Sequence, residues 1–145
     1  MNLTAQPWFL WALGSAGFAA LTAILAKIGV EGVNSDLATF IRTIFVAVLL
    51  GLLLLATGKL QNEPAISPRT YLYLALSGAA TGASWLCYFR ALQLGDAARV
   101  APVDKLSVVL VAIFAALFLG ERLSSLNWAG VCLVAVGVIL IAYKG

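Results

Sequence analysis

Apolar residues along this chain do not alternate with polar ones; they run in long blocks separated by short polar breaks. The blocks cover Pro7 to Ile28, Asp36 to Thr57, Thr70 to Leu94, Val100 to Leu119 and Asn127 to Tyr143. A helix rises about 1.5 Å per residue and needs roughly 20 apolar residues to cross a hydrocarbon core about 30 Å thick, so each block predicts a spanning helix. The breaks are a turn at Glu31 to Ser35, the sizeable loop Gly58 to Arg69 with Lys59, Gln61, Asn62 and Glu63, a tight turn at Gly95 to Arg99, and the Gly120, Glu121, Arg122 step. Trp8, Trp11, Tyr71 and Tyr73 fall at block ends, where amphipathic rings favour the headgroup level. The expectation is an all-α integral membrane protein, a bundle of five transmembrane helices forming a single domain over residues 1–145. The first block has no Lys or Arg before it and is longer than a signal-peptide core, so it reads as a retained span.

Composition sharpens this. Of 145 residues, 63% are hydrophobic and 10% charged, against roughly half and about a quarter in soluble domains. Five spans with short connections leave no room for a separate soluble domain. The net charge of +3 is spread without any basic run, so no nucleic-acid partner is expected. There is no histidine, and Cys87 and Cys132 both lie inside apolar blocks, which removes zinc sites and histidine-based catalysis. With no serine constellation or metal-ligand cluster visible either, no enzyme, metal or cofactor is expected.

An odd number of spans puts the termini on opposite faces. Outside the blocks or at their ends the N-terminal side carries Lys59, Arg69 and Arg122, and the other side Lys27, Arg99 and Lys144, an even split for the positive-inside rule. Only the embedded Arg42, Arg90 and Lys105, all near the second side, tip that side toward the cytoplasm, so insertion in both orientations is expected.

Ionisable residues within spans cost free energy and usually face a bundle interior or a wet cavity. Arg42, Arg90, Asp104 and Lys105 are therefore candidates for substrate binding or the transport pathway. Each has a structural alternative. The two arginines lie near enough to the interface to snorkel. Pro102 at the first helical position would put Asp104 in a first turn, where a carboxylate suits the helix dipole. A helix starting there would leave the apolar run Leu106 to Leu119 only about 21 Å long, drawing Asp104 and Lys105 below the headgroups and favouring pairing between them or with Arg90. Trp85 and Phe89 share a helix face at i, i+4 with Tyr88 on its flank, so Trp85 and Tyr88 join the binding candidates, the alternative being lipid-facing or core bulk. Gly78 and Gly82 form a G-x-x-x-G pattern widened by Ala79, Ala83 and Ser84; with Gly130 and Gly137 they read as helix-packing notches.

The stretch YFRALQLGDAARVAPVDKLSVVLVAIFAALFLGERLSSLNWAGVCLVAVGVILIAY, Tyr88 to Tyr143, carries R-A-L near the end of one span, a proline early in the next, the exit L-G-E-R-L-S and a glycine-spaced last helix. In these features it resembles the EamA-like branch of the drug/metabolite transporter superfamily, and the three preceding spans extend the resemblance over essentially the whole chain. Members of that branch resemble two such five-helix halves fused with inverted topology; this chain matches one half of that ten-helix inverted-repeat architecture. The resemblance implies alternating access with a cavity between halves, and a lone half with a weak orientation bias implies an antiparallel homodimer.

The expected function is thus transport of a small metabolite, an amino acid, organic anion or drug-like solute, in a prokaryotic plasma (inner) membrane, with solute and membrane lipid as partners. The embedded cations favour substrates bearing a carboxylate or phosphate. The alternatives are a proton-coupled exporter of hydrophobic cations working through Asp104, weakened by the absence of a carboxylate in the first span, and a non-transporting subunit of a hetero-oligomeric membrane complex.

Overall fold

A computed structural model describes residues 7–59 and 66–143. Gln61, Asn62 and Glu63 of the Gly58 to Arg69 loop, and the terminal Lys144 and Gly145, lie outside the described residues. The described chain is all helical: α1 (Pro7–Gly29), α2 (Ser35–Ala56), α3 (Pro68–Leu94), α4 (Ala97–Asp104), α5 (Leu106–Phe114), a π-helical turn (Ala115–Leu119) and α6 (Ser125–Ala142).

Among the described residues, four stretches are long and apolar enough to cross a membrane: Trp8–Gly29, Ser35–Ala56, Ala97–Leu119 and Ser125–Ala142. The fifth helix, α3, has 27 residues, about 40 Å of rise, but Arg69, Arg90, Gln93 and its Ser, Thr, Gly and Tyr content dilute its apolarity. Large apolar side chains such as Trp11, Phe45, Leu49, Leu53, Phe118 and Leu126 stand exposed. In water such a surface would drive aggregation, whereas lipid solvates it.

Local chemistry sets the helix ends. Asn34 caps α2, its Oδ1 accepting from the backbone N–H of Asp36 at 2.8 Å and Leu37 at 3.2 Å. Ser67 Oγ accepts from Thr70 N–H at 3.2 Å, so α3 begins at Pro68, two residues before the expected Thr70. Ser124 does the same for α6 through Asn127 N–H at 3.2 Å. Gly120 adopts φ +68°, a left-handed conformation that favours glycine, and ends the π turn as the polar step there predicted.

The fourth expected span needs correction at its start. The helix begins at Ala97 behind Asp96, not at Val100, so the preceding turn is shorter than Gly95 to Arg99 and Arg99 is helical. Pro102 lies inside α4, and Asp104 is the last residue of that helix rather than part of a first turn, so the dipole account of Asp104 fails. A proline within a helix removes one backbone donor. The chain then tightens at Lys105, with Lys105 N–H to Pro102 O at 2.9 Å and Val108 N–H to Lys105 O at 3.0 Å, before α5 resumes.

The described residues fall into two compact units, one of residues 25–93 and one of residues 7–24 with 94–143. In the first, the buried residues Ala26, Val30, Ser35, Thr39, Phe89 and Leu92 gather at the end of α1, the start of α2 and the end of α3. The buried hydroxyl of Thr39 donates to Ser35 O at 2.8 Å, so its polarity is satisfied within the helix. In the second, α6 packs against α4 and α5, with Ala115 and Val138 buried.

Candidate functional site

Arg42 lies seven residues into α2, about 10 Å along the helix from its start. Its guanidinium carbon sits 4.1 Å from the centre of the Trp85 ring and 5.6 Å from that of Phe89. Both distances are within cation–π range, worth roughly 0.5–2 kcal/mol depending on desolvation. The i, i+4 spacing of Trp85 and Phe89 therefore presents one aromatic face of α3 to a cation of α2. Phe89 is buried and Trp85 and Tyr88 are half-buried, with Tyr88 within electrostatic range of the same guanidinium. The sequence marks Trp85, Phe89 and Tyr88 as one aromatic patch of α3 and Arg42 as a separate candidate; the structure brings Arg42 over Trp85 and Phe89 of that patch.

Immediately after Phe89, Arg90 Nη1 donates to Gln93 Oε1, about one turn further along α3, at 3.2 Å. Gln93 Nε2 in turn donates to the carbonyls of Val30, at 3.3 Å, and Val33. Lys27 Nζ, from the last turn of α1, donates to Leu92 O at 2.7 Å. The ends of α1 and α3 thus cap one another, each supplying a side chain to carbonyls the other leaves without a helical partner. This ties down the turn at 30–34 and with it the start of α2, which carries Arg42. Neither Lys27 nor Gln93 was singled out from sequence, because their acceptors lie on distant segments.

Two open clefts flank these bonds. One, of about 400 Å³, is lined by Lys27, Val30, Glu31, Gly32, Leu92 and Gln93; the other, of about 380 Å³, by Asn34, Ser35, Asp36, Leu86, Cys87 and Arg90. In the other unit, Lys105 Nζ pairs with Asp104 Oδ2 at 3.1 Å, the side chains being 55% and 33% exposed. The expected pairing between these two neighbours is present. Arg90 belongs to the 25–93 unit and has Gln93 as its bonded partner there.

A Cβ built on Gly78, Gly82, Gly130 or Gly137 meets nothing within 4 Å in the unit that holds it. Among the described residues, no three His, Cys, Asp or Glu side chains are grouped to hold a metal ion.

Comparison with known proteins adds the decisive observation: the sequence profile of the EamA-like transporter family matches residues 6–143. The chain belongs to that family. A protein of Sinorhizobium sp. named "Uncharacterized transporter in cobO 3'region" is 60% identical over 137 residues, which cover 94% of this chain and 97% of the relative. No solved structure matches significantly. As an EamA-like protein the chain is a multi-pass integral membrane transporter and not an enzyme. That assignment fits the lipid-solvated surface of its helices.

Proposed function

We propose that this EamA-like chain carries a small metabolite bearing a carboxylate or phosphate across a prokaryotic plasma membrane by alternating access. The whole chain acts as one five-span transmembrane domain, α3 included, and two copies assemble antiparallel. The observation that carries the substrate preference is Arg42, a guanidinium set inside a span that, among the described residues, is held by aromatic rings rather than by a carboxylate of its own unit. A cation in such a position is costly unless an anion visits it. Arg90 extends this basic path toward the cleft beside Asp36, and Asp104 and Lys105 contribute charge in the other unit.

The small-residue surface at Gly78 and Gly82 supports the dimer, since it is open in its own unit and suits close helix approach. The even split of exposed Lys and Arg supports the antiparallel arrangement, and a Sinorhizobium relative supports the prokaryotic membrane.

The test is uptake and counterflow in proteoliposomes against amino acids, organic anions, phosphate esters and cationic dyes, with the protein cross-linked to score copy number. Saturable flux of an anionic solute by a dimer is expected. Flux of cationic dyes only would replace this reading with a cation exporter, and no flux of any solute would replace it with a non-transporting subunit.

A further inference from the structure

Arg42 lies over two aromatic rings of α3. The Trp85 ring centre lies 4.1 Å from Cζ and the Phe89 centre 5.6 Å, so aromatic carbon occupies the neighbourhood of the guanidinium. The rings satisfy the charge in part, but the N–H groups of a guanidinium form a planar fork, and an aromatic ring is a poor acceptor for them beside a carboxylate. Among the described residues of the 25–93 unit, no carboxylate is ion-paired with Arg42. The nearest hydroxyls along α2 serve their own helix, Thr39 donating to Ser35 O and Thr43 to Thr39 O, both at 2.8 Å. Among the described residues, a half-buried fork of donors thus lies against aromatic rings with no carboxylate paired to it.

We propose that Arg42, backed by Trp85 and Phe89, is a receptor that grips the carboxylate of the transported solute edge-on through paired N–H···O bonds. This rests on the transport reading above and adds to it a bidentate mode of recognition and a preference for planar carboxylates. The fork of an arginine matches a carboxylate bidentately, whereas lysine offers only a point charge. The aromatic backing lowers the entropic cost of holding that fork, because a side chain already ordered by stacking loses less on binding. A lipid phosphate drawn down by snorkelling would offer Arg42 the same kind of oxyanion, and the experiment separates the two sources. A snorkelling anchor works as well with lysine as with arginine; a bidentate receptor does not.

Full-length wild type, Arg42→Lys, Arg42→Gln and Trp85→Leu are purified, checked for assembly by size exclusion, and reconstituted. Uptake of radiolabelled leucine, glutamate, succinate, benzoate and tetraphenylphosphonium is measured, along with competition by the amide of whichever carboxylate is carried. We expect wild type to carry at least one carboxylate and its amide to compete poorly. Losing a charge-assisted hydrogen-bonded pair should lower kcat/KM for the carboxylate about tenfold or more in Arg42→Gln. Arg42→Lys should fall nearly as far despite its retained charge, and Trp85→Leu should raise KM severalfold with kcat less affected. If Arg42→Gln does not assemble, Arg42→Lys and Trp85→Leu decide. Wild-type uptake in Arg42→Lys identifies a lipid anchor and overturns the receptor. Competition by the amide equal to that of the carboxylate also overturns it. Uptake of tetraphenylphosphonium alone overturns it while leaving a transporter, and no uptake of any probe sinks the transport reading together with the receptor.

Discussion

In the 25–93 unit Arg42 of α2 reaches two rings of α3, and Lys27 and Gln93 exchange bonds between the ends of α1 and α3. In the other unit Lys105 pairs with the residue beside it, at the point where α4 gives way to α5. The first arrangement exists only when three helices come together, so its polar groups report on tertiary structure. The second forms in a stretch of five residues around Pro102 to Leu106 and reports only on a local break. An ion pair of adjacent, half-exposed residues stabilises little and leaves both groups open to other partners. A cross-helix bond at a helix end fixes where the next helix starts. Stability should therefore concentrate in the first constellation, and substitutions in the two units make that contrast measurable.

The largest loss is expected at Leu92, which is fully buried. Leu92→Ala opens a cavity where α3 meets its neighbours, a change that costs about 2–5 kcal/mol in soluble cores. Lipid is as apolar as the protein interior, so the transfer part shrinks and the lost packing remains, giving a value near the lower end, about 2 kcal/mol. Denaturant titration in mixed micelles measures it. A cost no greater than that of an exposed leucine such as Leu49 would show that the 25–93 unit is not packed as described.

Gln93→Leu comes next. It keeps the volume but withdraws the donors to Val30 O and Val33 O and the acceptor for Arg90. Interfacial water replaces part of the loss, so about 1–2 kcal/mol is expected. Gln93→Glu should be worse than Gln93→Leu at the same carbonyls, since a carboxylate repels them. The reverse order would mean that Arg90, not the turn, is the partner that matters.

In the other unit Gly120→Ala should cost about 1 kcal/mol, because φ +68° places a Cβ against its own backbone although no neighbour stands within 4 Å. Gly137→Ala, with ordinary helical φ and equally open space, should stabilise the monomer slightly through helix propensity. Loss of association in Gly137→Ala would instead reveal a second copy packed on that face.

How far each region was legible from the amino-acid sequence follows the same division. The helices were readable because apolar blocks are a one-dimensional signal, and the ends were readable to within a few residues wherever Gly120 or the polar breaks interrupted them. Pro102 misled, since proline is common at a first helical position but here sits inside α4, shortly before the chain tightens at Lys105. The Asp104 and Lys105 pairing was legible for the simple reason that the two are adjacent. Arg42 and Trp85 were each visible as unusual residues, yet nothing in their spacing said that they meet. Lys27 and Gln93 were hidden altogether: each bonds a backbone carbonyl, and every residue supplies one, so no residue type marks the acceptor.

The smallest stability effect is expected at Asp104, and there the comparison turns from stability to function. Asp104→Asn removes a partly exposed neighbour pair, worth at most about 1 kcal/mol, and leaves Pro102 and the turn at Lys105 in place. If the pair belongs to the transport pathway, as proposed, flux should fall severalfold in Asp104→Asn and in Lys105→Gln while the unfolding midpoint barely moves. The double variant should then lose no more than the worse single, because residues acting as one unit are not additive. Matching losses of stability and flux would make the pair an ordinary structural contact at a helix break. Unchanged flux in both single variants, with the proteins correctly assembled, would confine the pathway charge to Arg42 and Arg90, leaving the 25–93 unit as the place where the solute is recognised.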